Sequence, residues 1–518
     1  MQDATSYDQV PYPNRPQRTA HPRHLEAVAT LFGMTPQPSP QCAVLELGSA
    51  TGANLVAQAY DLSESDFLGV DFSEAQVAEG QKTVESLGLK NIELRHADIR
   101  DVDPTWGQFD YIICPGVYSW TPREIQDKIM AICQANLAPN GVAFVSYNVY
   151  PGWHLRTTIR DMMLYHVSHI EDRQGQIDQA RAILEFLAAS CQEDAARGPM
   201  VRKELESVRR LNDAFFFHEY LEASNTPIYF HEFADRAHTK GLQYLGEADV
   251  SLMFSTSLPK QAHQTLEAMH NLPLVRREQY MDYARNRQFR ATLLCHQDIT
   301  LQRQLNPGVL ENFHLNTTAH FEESDVDIND TEEVEFSIGA GRLRTGRPLI
   351  KAAFTHLNEN WPRAVSLQEL HPAALDRLSP DRRNAMTESR DLLARGMMSA
   401  LAGGMVEVSV HPPRFVDNLS NHPVASALAR QQAAGSEVVT NMRQGFIRLD
   451  ALARYLVCHL DGRHDRNQLV HAVKAAIESR ELGIGRTDSG PDTIDSEALS
   501  PLVDHTLAQI CKSALLIA

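Results

Sequence analysis

The sequence has no long apolar run and no closely spaced pair of cysteines. No stretch approaches the about 18 apolar residues of a membrane-spanning helix, and the amino-terminal segment has no basic region followed by an apolar one. The seven cysteines lie far apart, without a CxxC pair. That spacing is typical of reduced, mostly buried thiols and excludes zinc and redox motifs built on such pairs. We therefore expect a cytoplasmic protein without a membrane span.

Basic residues are scarce as well. The sequence contains 48 Lys and Arg against 66 Asp and Glu, which gives a formal net charge of −18. Nucleic acids and anionic membranes are bound by clustered cations, so this balance argues against broad contact with either. A length of 518 residues is too great for one core and predicts several domains.

Apolar runs and helical spacing alternate through the first part of the chain. The expected strands are 42–50, 66–73, 91–99, 109–114 and 141–148, and the expected helices are 51–62, 74–87 and 122–137. Strands that alternate with helices form βαβ units, so we predict an α/β, Rossmann-like sheet covered by helices on both faces. Ligands of such sheets lie beyond the carboxyl ends of the strands.

The first strand ends in a glycine-containing motif, Glu46-Leu-Gly48-Ser-Ala-Thr-Gly52. Its glycines allow a tight turn, and the helix that follows offers free N–H groups at its N-terminus. A dinucleotide site would require GxGxxG, but Ala50 and Ala53 stand where two of these glycines should be. The motif therefore weakens the pyrophosphate interpretation.

Acidic residues end the next two strands. Asp71 is suited to accept hydrogen bonds from both ribose hydroxyls, and Asp98 is suited to an exocyclic adenine amine. Taken singly, each acid is typical of a solvated loop or a helix cap. The ordered set predicts a site for S-adenosylmethionine. The residues expected to contact this cofactor are Glu46, Gly48, Ala50, Gly52, Asn54, Asp71, Phe72, Ala97, Asp98, Ile99, Cys114 and Gly116.

Five sequence blocks carry a family resemblance. They are 7–34 (YDQVPYPNRPQRTAHPRHLEAVATLFGM), 45–55 (LELGSATGANL), 109–122 (FDYIICPGVYSWTP), 138–153 (APNGVAFVSYNVYPGW) and 229–249 (YFHEFADRAHTKGLQYLGEAD). The chain resembles bacterial class I methyltransferases with a methyltransferase regulatory domain, which include protein lysine methyltransferases of outer-membrane proteins. One departure is that the family usually has His before the Gly of GVYSW, whereas Cys114 and Pro115 precede Gly116 here.

Two aromatic clusters follow the fourth and fifth strands. Methyl transfer requires a neutral nucleophile, close approach and little water, and aromatic faces attract cations while excluding water. The clusters therefore predict an acceptor channel. We expect catalytic roles for Tyr118, Asn148 and Tyr150, and channel positions for Tyr12 (as a lid), Trp120, Tyr147 and Trp153. For Trp153, packing behind a Pro-Gly turn is the favoured alternative.

The middle of the chain reads as a helical cap followed by closing strands. Apolar residues over 155–211 recur at helical spacing, and the strands near 242 and 290 are expected to close the sheet as an antiparallel pair. His218-Glu219 and His231-Glu232 do not complete HExxH, so we expect no metal and interpret these residues as helix caps or substrate-facing groups.

The carboxyl-terminal third contains two helix-rich modules. Both read as winged-helix-like α+β units, and acids and bases nearly balance over 440–518, so we expect protein contacts and no nucleic acid. The expected division is an arm and lid (1–40), a cofactor-binding core (41–153), a helical cap and regulatory region (154–300), a linker (301–335), a middle module (336–420) and a carboxyl-terminal module (421–518).

The leading hypothesis is an S-adenosylmethionine-dependent methyltransferase acting on a protein or peptide. The preference for lysine ε-amines is implied by the family resemblance. One alternative is a small-molecule or peptide N- or O-methyltransferase, and another is a regulatory protein that senses the cofactor without turnover. The sequence leaves open whether the protein is a homodimer.

Overall fold

Seven strands of the amino-terminal half form one sheet. In the computed structural model, which describes residues 6–10, 12, 14–192, 197–323, 326–339, 341–384, 389–483 and 496–518, the strands are β1 (Ala43–Leu47), β2 (Asp66–Asp71), β3 (Ile92–His96), β4 (Phe109–Cys114), β5 (Leu137–Asn148), β6 (Leu242–Glu247) and β7 (Phe289–His296). Their order is β3-β2-β1-β4-β5-β7-β6. The first five strands are parallel, and β7 is antiparallel to both β5 and β6. The predicted parallel sheet with an antiparallel closing pair is confirmed.

Helices in this part of the chain cover both faces of the sheet and also form a separate cap. They are α1 (Ser6–Gln9), α2 (Pro22–Leu31), α3 (Ala53–Asp61), α4 (Glu74–Leu87), α5 (Arg123–Asn136), α6 (Trp153–Val167), α7 (Arg173–Ser190), α8 (Gly198–Arg209), α9 (Asp213–Tyr220), α10 (Phe230–Thr239), α11 (Lys260–Ala268) and α12 (Leu274–Arg285). Val44 and Leu45 are neighbours in β1 but belong to different cores, because successive strand side chains point to opposite faces. Val44 packs in the core that includes α2 and α3, and Leu45 packs with α5 and α10.

Local signals define the ends of several helices. The predicted helix 74–87 is confirmed as α4. The side chain of Ser73 accepts a hydrogen bond from the N–H of Gln76 at 3.2 Å, and Gly88 ends the helix in a left-handed conformation (φ 66°). The cap predicted over 155–211 is confirmed as helices α6, α7 and α8, which share a separate apolar core with α9.

The expected arm and lid over residues 1–40 requires a correction. Only its first part lies over the surface, because α2 is buried against the sheet with Leu25, Val28 and Leu31 at most 2% exposed. His21 caps this helix by accepting a hydrogen bond from the N–H of Arg23 at 3.1 Å. The apolar spacing of α2 makes it part of the core of the sheet.

The expected linker 301–335 is also wrong, because much of it belongs to a folded middle domain. The elements of this domain are β8 (His314–Asn316), β9 (His320–Phe321), β10 (Val334–Ile338), β11 (Gly341–Thr345), α13 (Pro348–Glu359), β12 (Val365–Ser366), α14 (Leu367–Asp376), α15 (Pro380–Asn384), α16 (Ser389–Ala402) and β13 (Glu407–Ser409). Strand β8 lies between β12 and β13, and its Leu315 is fully buried. Asp330 of the acidic stretch accepts a hydrogen bond from the buried Nζ of Lys351 at 2.5 Å.

The described residues of the last domain form four helices and a two-stranded hairpin. They are α17 (Ala427–Gly435), β14 (Val438–Thr440), β15 (Phe446–Arg448), α18 (Ala451–His459), α19 (Arg466–Glu478) and α20 (Ser496–Lys512). Its first helix packs against the sheet domain, where Leu428 contacts Val56 and Ala57 of α3. The N–H of Ala427 donates to the hydroxyl of Tyr60 at 2.8 Å.

Some expectations fall on residues that the structure does not describe. Pro11 and Pro13 of the expected arm and lid, and Ala340 and residues 385–388 of the expected middle module, lie outside the described residues. Within the described ranges, none of the helices has the length and apolar character that a membrane crossing requires.

Candidate active site

A tight turn connects β1 to α3 at the carboxyl edge of the sheet. Gly48 (φ 75°) and Gly52 (φ 72°) adopt left-handed conformations that favour glycine. A Cβ atom on Gly48 would lie 2.4 Å from Cγ2 of Val117, so the close approach of the loop after β4 also requires glycine. The glycine turn is therefore packed closely against Val117 at the N-terminus of α3.

The carboxylate of Asp71 joins the first two strand-end loops. Its two oxygens accept hydrogen bonds from the N–H of Ala50 at 2.7 Å and from the N–H of Ser73 at 2.8 Å. Burial raises the pKa of Asp71 above its usual value, and these backbone hydrogen bonds offset only part of that rise. Beside it, the side chain of Phe72 is 40% exposed and offers a free aromatic face. A carboxylate next to an exposed ring is the arrangement that an adenosine group requires.

Asp98 lies at the end of the neighbouring strand. The main-chain N–H of Ala97 donates to the carbonyl of Asp71 at 3.0 Å, which fixes the two strand ends side by side. The carboxylate of Asp98 accepts hydrogen bonds from the guanidinium of Arg100 at 2.6 Å and from its main-chain N–H at 2.8 Å. These hydrogen bonds lower the pKa of Asp98. Ile99 begins the short 3-10 helix that follows, and its side chain is partly exposed.

A buried carboxyl group lies beneath the glycine turn. Glu46 is 1% exposed and accepts a hydrogen bond from Nδ2 of Asn54 at 2.9 Å. The amide oxygen of Asn54 in turn accepts from the N–H of Gln17 at 2.8 Å. Burial raises the pKa of Glu46 to about 8. A cationic ligand group near this carboxyl would favour its ionised form.

These groups together fit S-adenosylmethionine. The turn around Gly48 and Gly52 leads into the N-terminus of α3, Asp71 and Asp98 present carboxylates at adjacent strand ends, and Phe72 supplies an exposed ring. Asp71 would hold the ribose hydroxyls, and the region of Ala97 to Ile99 would hold the adenine. The methyl sulfonium supplies an electrophilic methyl group when the cofactor is bound.

Cys114, one of the expected cofactor contacts, has its side chain in the core. Its thiol is 0% exposed in the core of the sheet with Cys133 of α5, and burial raises its pKa well above the usual value. At Cys114, only backbone atoms are therefore available to a ligand. Gly116 is exposed (φ 70°), and its N–H donates to Oγ of Ser146 at 2.7 Å.

Two of the expected channel tyrosines are core residues instead. Tyr118 is 0% exposed and lies 5.3 Å from the ring of Phe233, and Arg236 donates to its hydroxyl at 3.3 Å. Tyr147 is 1% exposed and stacks on Phe233 at 3.9 Å. Because Tyr147 points to the opposite face of β5 from Asn148, it packs against α10. The catalytic role expected for Tyr118 and the channel position expected for Tyr147 are therefore withdrawn.

Asn148 remains at the carboxyl edge of the sheet. Its Nδ2 donates to Oδ1 of Asn225 at 3.1 Å, and its main-chain N–H donates to Oγ of Ser119 at 2.8 Å. The segment that carries Asn225 crosses the ends of β4 and β5, because the N–H of Thr226 donates to the carbonyl of Ser119 at 2.7 Å and that of Ile228 to the carbonyl of Asn148 at 3.2 Å. Asn148 therefore lies at the junction of three segments.

The remaining aromatic candidates divide into exposed and buried positions. Tyr150 is partly exposed and stacks on His154 with ring centroids 4.2 Å apart. Trp120 is also partly exposed and contacts Trp153 edge to face at 6.2 Å. Trp153 itself is 1% exposed, so it supports Trp120 by packing.

The amino-terminal arm crosses the same edge, held by a histidine whose role differs from the one expected from the sequence. Nε2 of His218 lies 2.6 Å from the carbonyl of Val10, and its Nδ1 lies 2.8 Å from Glu222. The ring of His218 stacks on Tyr7 at 4.6 Å and meets the edge of Tyr12 at 5.5 Å. The only sequence signal was the His-Glu pair itself. Neither expected role, helix cap or substrate-facing group, describes this buried anchor.

Further contacts attach the arm to both cofactor loops. Oγ of Ser73 donates to Asp8 at 2.5 Å, and Nδ2 of Asn14 donates to the carbonyl of Ser49 at 2.6 Å. Tyr12 is 37% exposed, and burial of its hydroxyl raises its pKa to about 12. Residues on both sides of Tyr12 therefore contact the cofactor loops, and a lid role for Tyr12 stays a prediction.

Three family models match successive parts of the chain. They are "Methyltransferase domain" over residues 44–141, "Predicted methyltransferase regulatory domain" over 212–296 and "PKMT, C-terminal winged helix domain" over 421–515. The first covers the glycine turn and both strand-end acids. The second covers the closing strands, and the third covers the last domain.

Relatives and one solved protein match at greater length. Uncharacterized protein RP789 of Rickettsia prowazekii (strain Madrid E) is 34% identical over 526 residues, which covers 99% of this chain and 94% of that protein. Uncharacterized protein RP028 of the same organism is 37% identical over 46% of this chain and 96% of its own length. PKMT2 from Rickettsia typhi, solved in complex with AdoHcy, has a TM-score of 0.86 and 30% identity, and the match covers 98% of this chain and 100% of that one.

Proposed function

The chain belongs to the PKMT family of methyltransferases, and we propose that it transfers methyl groups from S-adenosylmethionine to lysine ε-amines of a protein acceptor. That it is an S-adenosylmethionine-dependent methyltransferase follows from the matching domains and from the structural likeness over nearly the whole chain. The lysine acceptor is the proposal. It is supported by the protein lysine methyltransferases named PKMT, to which the chain is similar over 98% of its length.

The observation that supports the proposal is that the strand ends along one edge of the sheet supply two different groups of residues. The ends of β1, β2 and β3 supply the glycine turn, Asp71 and Asp98. The ends of β4 and β5 supply Asn148, Tyr150 and the partly exposed Trp120. A cofactor bound at the ends of β1 to β3, the cofactor half of the edge, would present its methyl group toward the ends of β4 and β5, the acceptor half, where Trp120 and Tyr150 are partly exposed.

Methyl transfer to a lysine amine sets two requirements for the acceptor half of the edge. A lysine amine with a pKa near ~10.4 must lose a proton before it attacks, and the attack requires an approach of about 3 to 3.5 Å. We propose that Asn148 accepts a hydrogen bond from the amine and that Tyr150 bounds its path. Aromatic walls exclude water and so favour the neutral amine.

We also propose that the protein acts in the cytoplasm on a protein partner and not on nucleic acid. The net charge of −18 supports the second part, since nucleic acid requires clustered cations. The cysteines support a cytoplasmic location, because all seven are free thiols and six of them are buried. We retain the middle and last domains as proposed protein-contact modules.

The test is methyl transfer from radiolabelled S-adenosylmethionine into an undialysed lysate of the source cells. We expect base-stable label in precipitable protein, with a mass increase of one or more methyl groups on lysine. Label confined to the soluble small-molecule fraction would instead favour a small-molecule methyltransferase. Calorimetric cofactor binding without any label would favour a sensor.

Two substitutions test the acceptor half directly. Asn148→Ala should lower kcat by about tenfold or more with little change in cofactor affinity, because one hydrogen bond to the amine is lost. Tyr150→Phe should retain most activity, because its ring is kept. Tyr165→Phe is the matched control, since Tyr165 is 85% exposed on α6. Equal kcat for Asn148→Ala and the native protein would refute the assigned role.

A further inference from the structure

A strip of aromatic rings extends from the acceptor half of the edge onto the regulatory region. It consists of Tyr150, His154, Tyr229, His231, Tyr280 and Tyr283, and we call it the aromatic strip. Tyr150 lies 5.4 Å from Tyr229, Tyr229 lies 6.1 Å from Tyr283, and Tyr283 lies 6.2 Å from Tyr280, all between ring centroids. The strip therefore begins at Tyr150, in the acceptor half of the edge, and leads away from the cofactor half.

The outer rings of the strip are exposed. Tyr280 is 43% exposed and Tyr283 is 48% exposed, whereas an aromatic side chain in a core is almost fully covered. Tyr150 and Tyr229 are partly exposed. Six adjoining rings with exposed outer members form a continuous surface, which differs from the isolated exposed residues that need no explanation.

The strip is rigid because the opposite face of α12 is fixed to β7. The buried guanidinium of Arg290 donates to Glu278 at 3.1 Å and to Asp282 at 2.9 Å. Residues 278 and 282 thus face the sheet, while Tyr280 and Tyr283 face outward. At the other end, Nε2 of His154 lies 3.1 Å from the hydroxyl of Tyr229.

Among the described residues, no arginine is stacked on a ring of the strip, although Arg276 is exposed one turn before Tyr280 on α12. Elsewhere in the described part of the chain, arginine side chains lie over rings such as Trp153 and Phe215, but none lies over a ring of the strip. Glu232 is exposed in the first turn of α10, beside Tyr229. Burial raises the pKa of Tyr283, and the neighbouring tyrosines, Asp282 and Glu232 raise it further. Free ring faces beside a carboxylate suit a cationic partner.

We propose that the aromatic strip, together with Glu232, is the docking surface for one flank of the acceptor polypeptide, a segment that carries basic side chains next to the methylated lysine. This inference rests on the proposed lysine methyltransferase function. The rings span the length of at most about five extended residues, so the segment contacts the strip over that distance. A second copy of this chain fits less well, because its net charge is −18.

The test compares a long and a short acceptor. The long acceptor is a fluorescein-labelled peptide pool of about 13 residues, with a central lysine and arginine or serine elsewhere. The short acceptor is Nα-acetyl-lysine methylamide, which is too short to extend from the acceptor half of the edge to Tyr280 and Tyr283. The variant is Tyr280→Ala with Tyr283→Ala, and its matched control is Tyr165→Ala with Phe186→Ala, two aromatic residues of the cap that are 85% and 65% exposed.

We expect the strip variant to raise KM for the peptide pool about tenfold, through the loss of two ring faces. It should leave unchanged the KM for the short acceptor and the Kd for S-adenosylhomocysteine. The double Tyr→Phe variant should retain native values, because the ring faces remain. Glu232→Gln, which still serves at the third position of the helix, should weaken peptide binding about threefold and reduce its salt dependence.

The outcomes separate the docking surface from the function. If the native protein methylates the pool and the strip variant has the same KM, the docking surface is refuted and the methyltransferase function stands. If the native protein binds the pool by fluorescence anisotropy in a tyrosine-dependent way without transfer, the surface stands and the lysine acceptor fails. Absence of both binding and transfer refutes both. A variant that only converts a dimer into a monomer in sedimentation would show an interface between copies and overturn the proposal.

Discussion

The two halves of the carboxyl edge are built by different means. The cofactor half depends on main-chain geometry within a few residues of each strand end, as in the turn around Gly48 and the two N–H groups on Asp71. The acceptor half is assembled from distant segments, as where Asn148 contacts Asn225 and Tyr150 contacts Tyr229. A local motif can bind the common cofactor while the assembled half determines the acceptor.

This difference predicts that the largest effect on cofactor binding comes from Asp71. Asp71→Ala removes the carboxylate that accepts from Ala50 and Ser73 and that we assign to the ribose, so affinity for S-adenosylhomocysteine should fall about a hundredfold. Calorimetry measures this loss. Asp66→Asn, at the exposed far end of the same strand, is the control and should bind normally. Similar affinities for the two variants would remove Asp71 from the site.

A substitution at Gly48 tests whether close packing against Val117 limits the glycine turn after β1. Gly48→Ala should destabilise the protein by about 2 kcal/mol more than Gly88→Ala, because both residues have a left-handed conformation but only Gly48 has a neighbour within reach of a Cβ atom. Urea unfolding of both variants gives the difference. Equal losses would mean that Val117 moves aside freely.

The buried carboxyl group of Glu46 makes the free energy of unfolding depend on pH. Burial raises its pKa from the model-peptide value of 4.5 to about 8, so between these pH values the native state binds more protons than the unfolded state. The free energy of unfolding should therefore fall by about 1.4 kcal/mol per pH unit as the pH rises through this window. Glu46→Gln should abolish this contribution in thermal melts without cofactor. Glu79→Gln, at an exposed position of α4, should leave the pH dependence unchanged, and parallel curves for Glu46→Gln and the native protein would contradict the account.

His218 couples the two halves through the arm, and its removal should have the smallest effect. His218→Ala removes the contact with the carbonyl of Val10 and the rings that hold Tyr7 and Tyr12. We expect about fivefold weaker binding of S-adenosylhomocysteine and faster proteolysis before residue 18. His166→Ala, on the exposed side of α6, is the control. Unchanged proteolysis would show that other contacts hold the arm.

Corrections to the sequence-based expectations fall mainly outside the cofactor half. Tyr118 and Tyr147 are aromatic residues at strand ends, as a channel requires, yet both are buried against Phe233 of α10, which lies 115 and 86 residues further along the chain. The acidic stretch before residue 335 resembled a linker, yet the apolar residues before it form the central strand of the middle domain. In each case the partner that decides burial is remote in sequence.

The sequence by itself determined the order of strands and helices, the glycine turn and the acids at the strand ends. Those features depend on backbone conformation and on side-chain periodicity, which neighbouring residues specify. Only the tertiary structure decided which tyrosines are buried, how His218 anchors the arm and how six rings from three segments form one strip. These arrangements arise from packing between segments far apart in sequence, because burial is a property of the surroundings of a residue and not of the residue alone.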